Sequence, residues 1–334
     1  MMKILCMGEP LFRYSTRKGE RFEKLNFDLN IGGSETNIAV NLARMGMHTS
    51  LFTKLPSHQL GEAVIRFLHY QGVETDHIIR DNGRVGCYYL EVGSGNRTSS
   101  VVYDRANASV TTLTMDEVDL DKVFDGVSVF VVSGITVALN ANLKEVVLSC
   151  MKYCNEHKIT VVYDSNYRSK LWSVEEAGKA FREILPHVDI LSAGHLDCTS
   201  FLGYDSFGLT FDGLLWADYE RLTKEYPNLQ YVVSTKRDII STSVNDLTGY
   251  MIHNGTFTTS DTYHIDDIVD RVGGGDAFIA GVLYGILNDM SDFDALTFGC
   301  ASSVLKHTVE GDANLFSADE IKQFVTNGVS RINR

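Results

Sequence analysis

Proline is scarce in this chain, with four in 334 residues, and no Ser/Pro-rich stretch divides it into halves. A flexible linker between two large domains is therefore excluded, and one main domain spanning 1–334 with a small inserted lobe is expected. Long apolar runs are missing as well. Met1 to Glu9 holds one short apolar run ending in Gly-Glu-Pro, far shorter than a signal peptide or a spanning helix needs, so the expectation is a cytoplasmic protein with no membrane contact. Positive charge is in deficit, 30 Lys and Arg against 43 Asp and Glu, for a net charge of −13. That balance argues against general nucleic-acid or membrane-surface binding and requires any anionic ligand to be held by local positive charge. The six cysteines are scattered, and only Cys150 and Cys154 are close, in a helical segment without nearby His or Cys partners. Buried thiols fit that spacing better than a metal site or a disulfide framework. Apolar content of 44% with 22% charged residues is that of an ordinary folded domain.

Against this background the stretch Asp270-Arg-Val-Gly-Gly-Gly-Asp276-Ala-Phe278 stands out. Three glycines open a helix whose apolar residues Phe278, Ile279, Val282, Leu283 and Ile286 recur at helical spacing. Glycines let backbone N–H groups approach an anion closely, and the positive end of the helix favours negative charge. Asp276, just inside the first turn, can accept a proton from a hydroxyl attacking a phosphoryl group held by Gly273, Gly274 and Gly275. A plain turn followed by a dipole-complementing aspartate is the alternative reading of the same residues.

Patterning predicts a strand at Lys3–Met7, a polar excursion over Phe12–Asp28, and a helix from Ser34 to about Met45 closed by Gly46. A strand at Thr49–Thr53 and a helix at Gly61–Tyr70 follow. Val85–Val92 and Thr98–Tyr103, joined by Gly93-Ser-Gly-Asn96, read as a hairpin. Apolar strands at Ser128–Val132, Thr160–Tyr163 and Val188–Leu191 alternate with helices. The fold class expected is α/β, a doubly wound and mostly parallel sheet flanked by helices, with a small β-sheet lid built from about 10–32 and 83–107 near the carboxyl ends of the strands.

A second glycine-led helix start, Gly32-Gly33-Ser-Glu-Thr-Asn37-Ile-Ala39, suits close approach to a polyol. Together with Gly-Gly-Gly-Asp it resembles the two signatures of the ribokinase-like (PfkB) carbohydrate kinases. Gly8-Glu-Pro-Leu11, Thr53-Lys-Leu-Pro56, Tyr103-Asp-Arg105, Ser133-Gly-Ile-Thr136 and Asp164-Ser-Asn-Tyr-Arg-Ser-Lys-Leu-Trp172 extend the likeness over the whole chain and are most similar to the 2-keto-3-deoxygluconate kinases. The resemblance implies ATP-dependent phosphorylation of the terminal (C6) hydroxyl of that sugar acid, with Mg2+ accompanying ATP and subunits associating through the lid as a homodimer or higher homo-oligomer. It implies Asp276 as base with Gly273, Gly274 and Gly275 as anion hole. Gly33, Asn37, Tyr88, Tyr103, Arg105, Ile135 and Arg168 would surround the sugar acid, and Asn166, Lys236, Gly273, Gly275 and His307 the nucleotide, with a satisfied surface or core histidine as the alternative for His307. Asp197 is the candidate for water-mediated metal contact. Independently of the family, a planar guanidinium can bind a carboxylate through two parallel hydrogen bonds, so Arg105 and Arg168 could close on one anion from opposite sides. A surface salt bridge is the alternative for each. Tyr89 competes with Tyr88, because a shift of one residue flips the face.

Three departures from the family pattern stand in the sequence. Gly274 replaces the alanine of Gly-Ala-Gly-Asp, a change expected to matter little. Gly194-His-Leu-Asp197 lacks the asparagine of Asn-x-x-Glu and carries a shorter acid. Val232–Ile240 lacks the usual glycines beside the nucleotide; Lys236 or Arg237 could touch phosphate there, with a solvated turn as the competing reading. A kinase for a neutral sugar such as fructose or ribose, or a non-catalytic sugar-acid sensor, are the rival functions.

Overall fold

Side chains of alternating parity build the large sheet. In a computed structural model, which describes residues 2–205 and 208–328, Ile4, Cys6, Val129, Val131, Val162 and Val233 pack on one face, while Leu5, Met7, Phe130, Val132, Val161 and Val232 pack on the other. All twelve are essentially inaccessible to water. A one-residue slip would exchange the two faces of a strand, and roughly 1.5–3 kcal/mol for each large side chain left unburied holds the register. The strands run in the spatial order Thr256–Thr259, Asn245–His253, Tyr231–Ile239, Ile190–Ser192, Thr160–Asp164, Val127–Ser133, Lys3–Met7, His48–Pro56 and Val73–Glu74. Pairing is parallel from Tyr231–Ile239 onward and antiparallel in the hairpin at the other edge. Helices Ala141–His157, Val174–Ile184 and Phe211–Glu225 cover one face; Ser34–Arg44, Gln59–Tyr70, Gly274–Leu287 and Asp292–Lys306 cover the other. This is the doubly wound α/β class expected from the pattern. No helix among the described residues is long and apolar enough to cross a membrane.

A separate four-stranded sheet has the order Asp28–Gly32, Leu11–Ser15, Gly86–Glu91, Ser100–Asp104. Its outer pairs are antiparallel and its central pair parallel. The segment expected to contribute to the lid, about 10–32, supplies two of its strands, Leu11–Ser15 and Asp28–Gly32. Tyr14 and Tyr89 stack on one face with ring centroids 5.2 Å apart, which leaves Tyr88 on the opposite face. The solvated turn considered at Lys236 and Arg237 is corrected: the strand runs on through Ile239, paired residue for residue with Asn245–His253. The predicted strand at Val188–Leu191 lies at Ile190–Ser192, since Leu185–His187 forms a tight helical turn.

Candidate active site

A cleft of about 720 Å3 lies between the small sheet and the ends of the parallel strands. Its walls bring together Glu9, Gly33, Asn37, Tyr88, Tyr103, Arg105 and Ile135 toward the small sheet, and Asp164, Asn166, Arg168, Asp197, Lys236, Arg237 and Arg271 along the strand ends; Gly273–Asp276 also line it. The volume is that of a site for a small-molecule ligand.

Asp276 sits in the first turn of Gly274–Leu287, buried at 8% exposure. Its carboxylate accepts from the Ser34 hydroxyl at 2.8 Å and from the Asn37 amide at 2.6 Å, and Asn166 in turn donates to Ser34 at 2.8 Å. Burial pushes Asp276 up to about 6, opposed by those hydrogen bonds and by the Arg168 charge. Asn166 holds a left-handed backbone, φ 39°, which asparagine tolerates and which turns its amide toward Ser34. The two glycine-led helices are thereby joined at one carboxylate. Nearby Asp164, at the end of its strand, is raised to about 7 by burial and by the Asp276 charge.

Gly273 caps the helix with φ 81°. A Cβ there would lie 1.7 Å from the Asp312 carbonyl oxygen. The loop is fixed from behind. Arg13, from the small sheet and 2% exposed, pairs with Asp270 at 2.5 Å and Asp312 at 2.9 Å, and the Tyr88 hydroxyl donates to Asp312 at 2.8 Å. Lys306, fully buried, donates to the carbonyl oxygens of Asp270 and Val309 at 3.2 and 3.3 Å. Gly273–Asp276 thus line the cleft at a fixed helix start, where the N–H groups of the first turn have no acceptor within the helix.

His307 does not line the cleft, which corrects its expected place beside a nucleotide. It is fully buried, donates from Nδ1 to the Ser303 carbonyl at 2.6 Å, and is held neutral, its pKa lowered to about 4 mainly by burial. A Cβ on Gly274 would lie 2.6 Å from its ring. Glycine at this position thus makes room for the imidazole, a packing role that the sequence pattern does not reveal.

Arg105 lines the cleft, but its guanidinium is already spent on Glu9, to which Nε donates at 2.8 Å and Nη2 makes a second contact. Both partners are buried. A buried guanidinium requires such a partner, so the picture of Arg105 and Arg168 closing equally on one anion does not hold. Arg168 is exposed, bonded only to the carbonyls of Asn166 and Tyr167, and has no carboxylate partner among the described residues. On the other side of the cleft, Glu9 Oε1 and Asn37 Oδ1 are buried acceptors to which no group of the described residues donates. Tyr88 has its hydroxyl committed to Asp312, leaving its ring toward the cleft, and Tyr103 stands beside it with centroids 5.8 Å apart. Lys236 is paired with Asp238 at 2.8 Å. Asp197 accepts from Gly194 N–H and Ser165 Oγ, each at 2.8 Å.

Sequence reasoning missed Glu9, Ser34 and Glu35 as parts of this site. Glu35 Oε1 accepts from the Ser133 N–H and hydroxyl and from the Thr136 hydroxyl, which positions the turn carrying Ile135. Their signal was present only as polar residues inside otherwise apolar helix or strand starts.

A sequence profile described as pfkB family carbohydrate kinase matches residues 1–319. The chain belongs to that family. It is 33% identical over 333 residues to the 2-dehydro-3-deoxygalactonokinase of Haloferax volcanii, with 99% of each chain covered. It is 27% identical to the 2-dehydro-3-deoxygluconokinase of Bacillus subtilis, covering 93% of this chain and 91% of that one. Among solved structures, the 2-dehydro-3-deoxygluconokinase of Thermotoga maritima superposes with a TM-score of 0.94 at 37% identity, over 98% of this chain and all of the other.

Proposed function

We propose that this carbohydrate kinase transfers the γ-phosphoryl group of ATP to the terminal C6 hydroxyl of 2-keto-3-deoxygluconate, also called 2-dehydro-3-deoxygluconate, or of its galactonate epimer. The observation that carries the reading is Asp276, a buried carboxylate in the first turn of Gly274–Leu287 that lines the cleft together with Gly273, Gly274 and Gly275. In this reading the C6 hydroxyl gives its proton to the Asp276 carboxylate as its oxygen bonds to the γ-phosphorus. The bond from that phosphorus to the bridging oxygen of ADP breaks, and the helix N–H groups carry charge on the transferring group. The names of the relatives in Haloferax, Bacillus and Thermotoga support the substrate class.

No group of three metal-ligating side chains occurs among the described residues. Magnesium would accompany the nucleotide phosphates, and the cleft carboxylates Asp164 and Asp197 fit water-mediated contact with it: both have pKa values raised mainly by burial, which a nearby cation would offset. Bound there, the ion supplies charge neutralisation. The proposal extends to the cytoplasm as location and to a homodimer through the lid, whose edge strand Ser100–Asp104 is largely exposed. Light scattering that gave a single-chain mass would remove the dimer from the account.

Arg168 discriminates acid from neutral sugar. Loss of its charge-assisted contact in Arg168→Ala is expected to lower kcat/KM for the keto-deoxy acid about 10- to 100-fold, with fructose and ribose turnover changed far less. An unchanged kcat/KM for the acid would place its carboxylate elsewhere.

A further inference from the structure

We propose that Arg237 and Arg271 form a two-guanidinium clamp for the terminal phosphates of the nucleoside triphosphate, on the cleft wall beside Gly273–Gly275. This rests on the kinase reading above.

Both side chains line the cleft, Arg237 from the strand Tyr231–Ile239 and Arg271 from the loop that leads into the anion site. Neither has a carboxylate partner among the described residues. Arg237 makes no side-chain hydrogen bond there, and Arg271 reaches only the neutral Asn245 amide oxygen at 3.3 Å. The Nε atoms of both are buried without an acceptor. Burial and the neighbouring Arg271 charge lower the Arg237 pKa. In a chain carrying −13 net charge, two unpaired cations that repel each other in a partly desolvated wall are a cost to the empty protein. A polyanion placed between them offsets that cost and meets two planar forks suited to phosphate oxygens.

The neighbouring cations do not compete for this role. Lys236 is held by Asp238 and lies over the Phe211 ring, 5.3 Å from its centroid, while Lys306 is directed to backbone carbonyls behind the loop. His307, the third group near Arg237, is neutral, so the clamp charge comes from the two arginines.

The test is calorimetric titration of the full-length protein with ATP, ADP, AMP and inorganic tripolyphosphate, for wild type, Arg237→Gln, Arg271→Gln and the double variant. The wild type should bind tripolyphosphate and tighten from AMP to ADP to ATP. Each single change should weaken ATP about 10- to 100-fold, the size of one charge-assisted pair, and move AMP less than about threefold. Unliganded Arg237→Gln or Arg271→Gln should melt at or above the wild-type temperature, because each removes a like-charge contact. A variant that keeps the wild-type ratio of ATP to AMP affinity overturns the clamp. So does an equal loss for all nucleotides with a lowered melting temperature, which would make these arginines structural, or a wild type that binds none of the four ligands. Intact ATP binding and its loss in the variants, with no turnover on any sugar acid, would instead sink the substrate reading and leave the clamp standing.

Discussion

Asp276→Asn is expected to lose turnover by about 100- to 10,000-fold while the protein stays folded. Asparagine keeps the shape, and a flip of the Asn37 amide can restore the contact with it, so the Ser34 and Asn37 surroundings survive. Burial raises the Asp276 pKa to about 6 from an ordinary 3.8. The sign of the stability effect follows from that direction. A raised carboxylate favours the folded state below its unfolded value, and the advantage is lost as pH rises through about 6. Above pH 6 the unliganded wild type therefore carries the cost of a buried anion, and the asparagine variant should be more stable by about 1–3 kcal/mol at pH 8, with the gain vanishing near pH 4. The ionised form is the competent base, so wild-type kcat/KM should fall as pH drops below about 6. Stopped-time ADP assays against pH and chemical denaturation at both pH values check these outcomes; a variant with wild-type turnover would remove Asp276 from the chemistry.

Gly273→Ala should be nearly as damaging, through geometry. The residue has φ 81°, a region that costs a side chain about 1–2 kcal/mol, and its new methyl would meet the Asp312 carbonyl oxygen at 1.7 Å. That carbonyl has little freedom, because the Asp312 carboxylate is locked to Arg13 and Tyr88 of the lid sheet. The loop carrying the anion site must move instead. A loss of about 100- to 1,000-fold in kcat is expected, with stability lower by about 2–4 kcal/mol. Single-turnover kinetics and thermal melting read both; near-normal values for each would mean that the helix start does not act as an anion site. The same contact links lid to anion site, since the groups that seat Asp312 belong to the strands that cover the sugar side.

Much of this was legible in the sequence, for reasons that are local. Period-two apolar runs set the strands, and glycine followed by helical spacing set the helix starts at Ser34 and Gly274. The glycine-rich turn before Asp276 marked that helix start because the positive φ that glycine permits is a local property of the chain. What was not legible depends on pairs far apart in the chain. Glu9 takes the charge of Arg105 from 96 positions away, and Tyr88 meets Asp312 across 224. No spacing rule connects such residues, so Arg105 read as a free cation and Tyr88 as a free hydroxyl. His307 could be read either as a nucleotide neighbour or as a satisfied core histidine, because a histidine in a helix gives no sign of which side is buried; the structure places it in the core. The small sheet was expected over about 10–32 and 83–107, but the bounds of its strands Leu11–Ser15 and Asp28–Gly32 were not legible, because aromatics and charged side chains interrupt the apolar alternation there.

The most direct test of the account is ADP release with Mg-ATP over 2-keto-3-deoxygluconate, its galactonate epimer, gluconate, fructose and ribose, with the product position read by NMR. The account predicts turnover confined to the keto-deoxy acids, with phosphate on C6. Efficient turnover of fructose or ribose, or no turnover of either keto-deoxy acid by a protein that binds ATP, would contradict it.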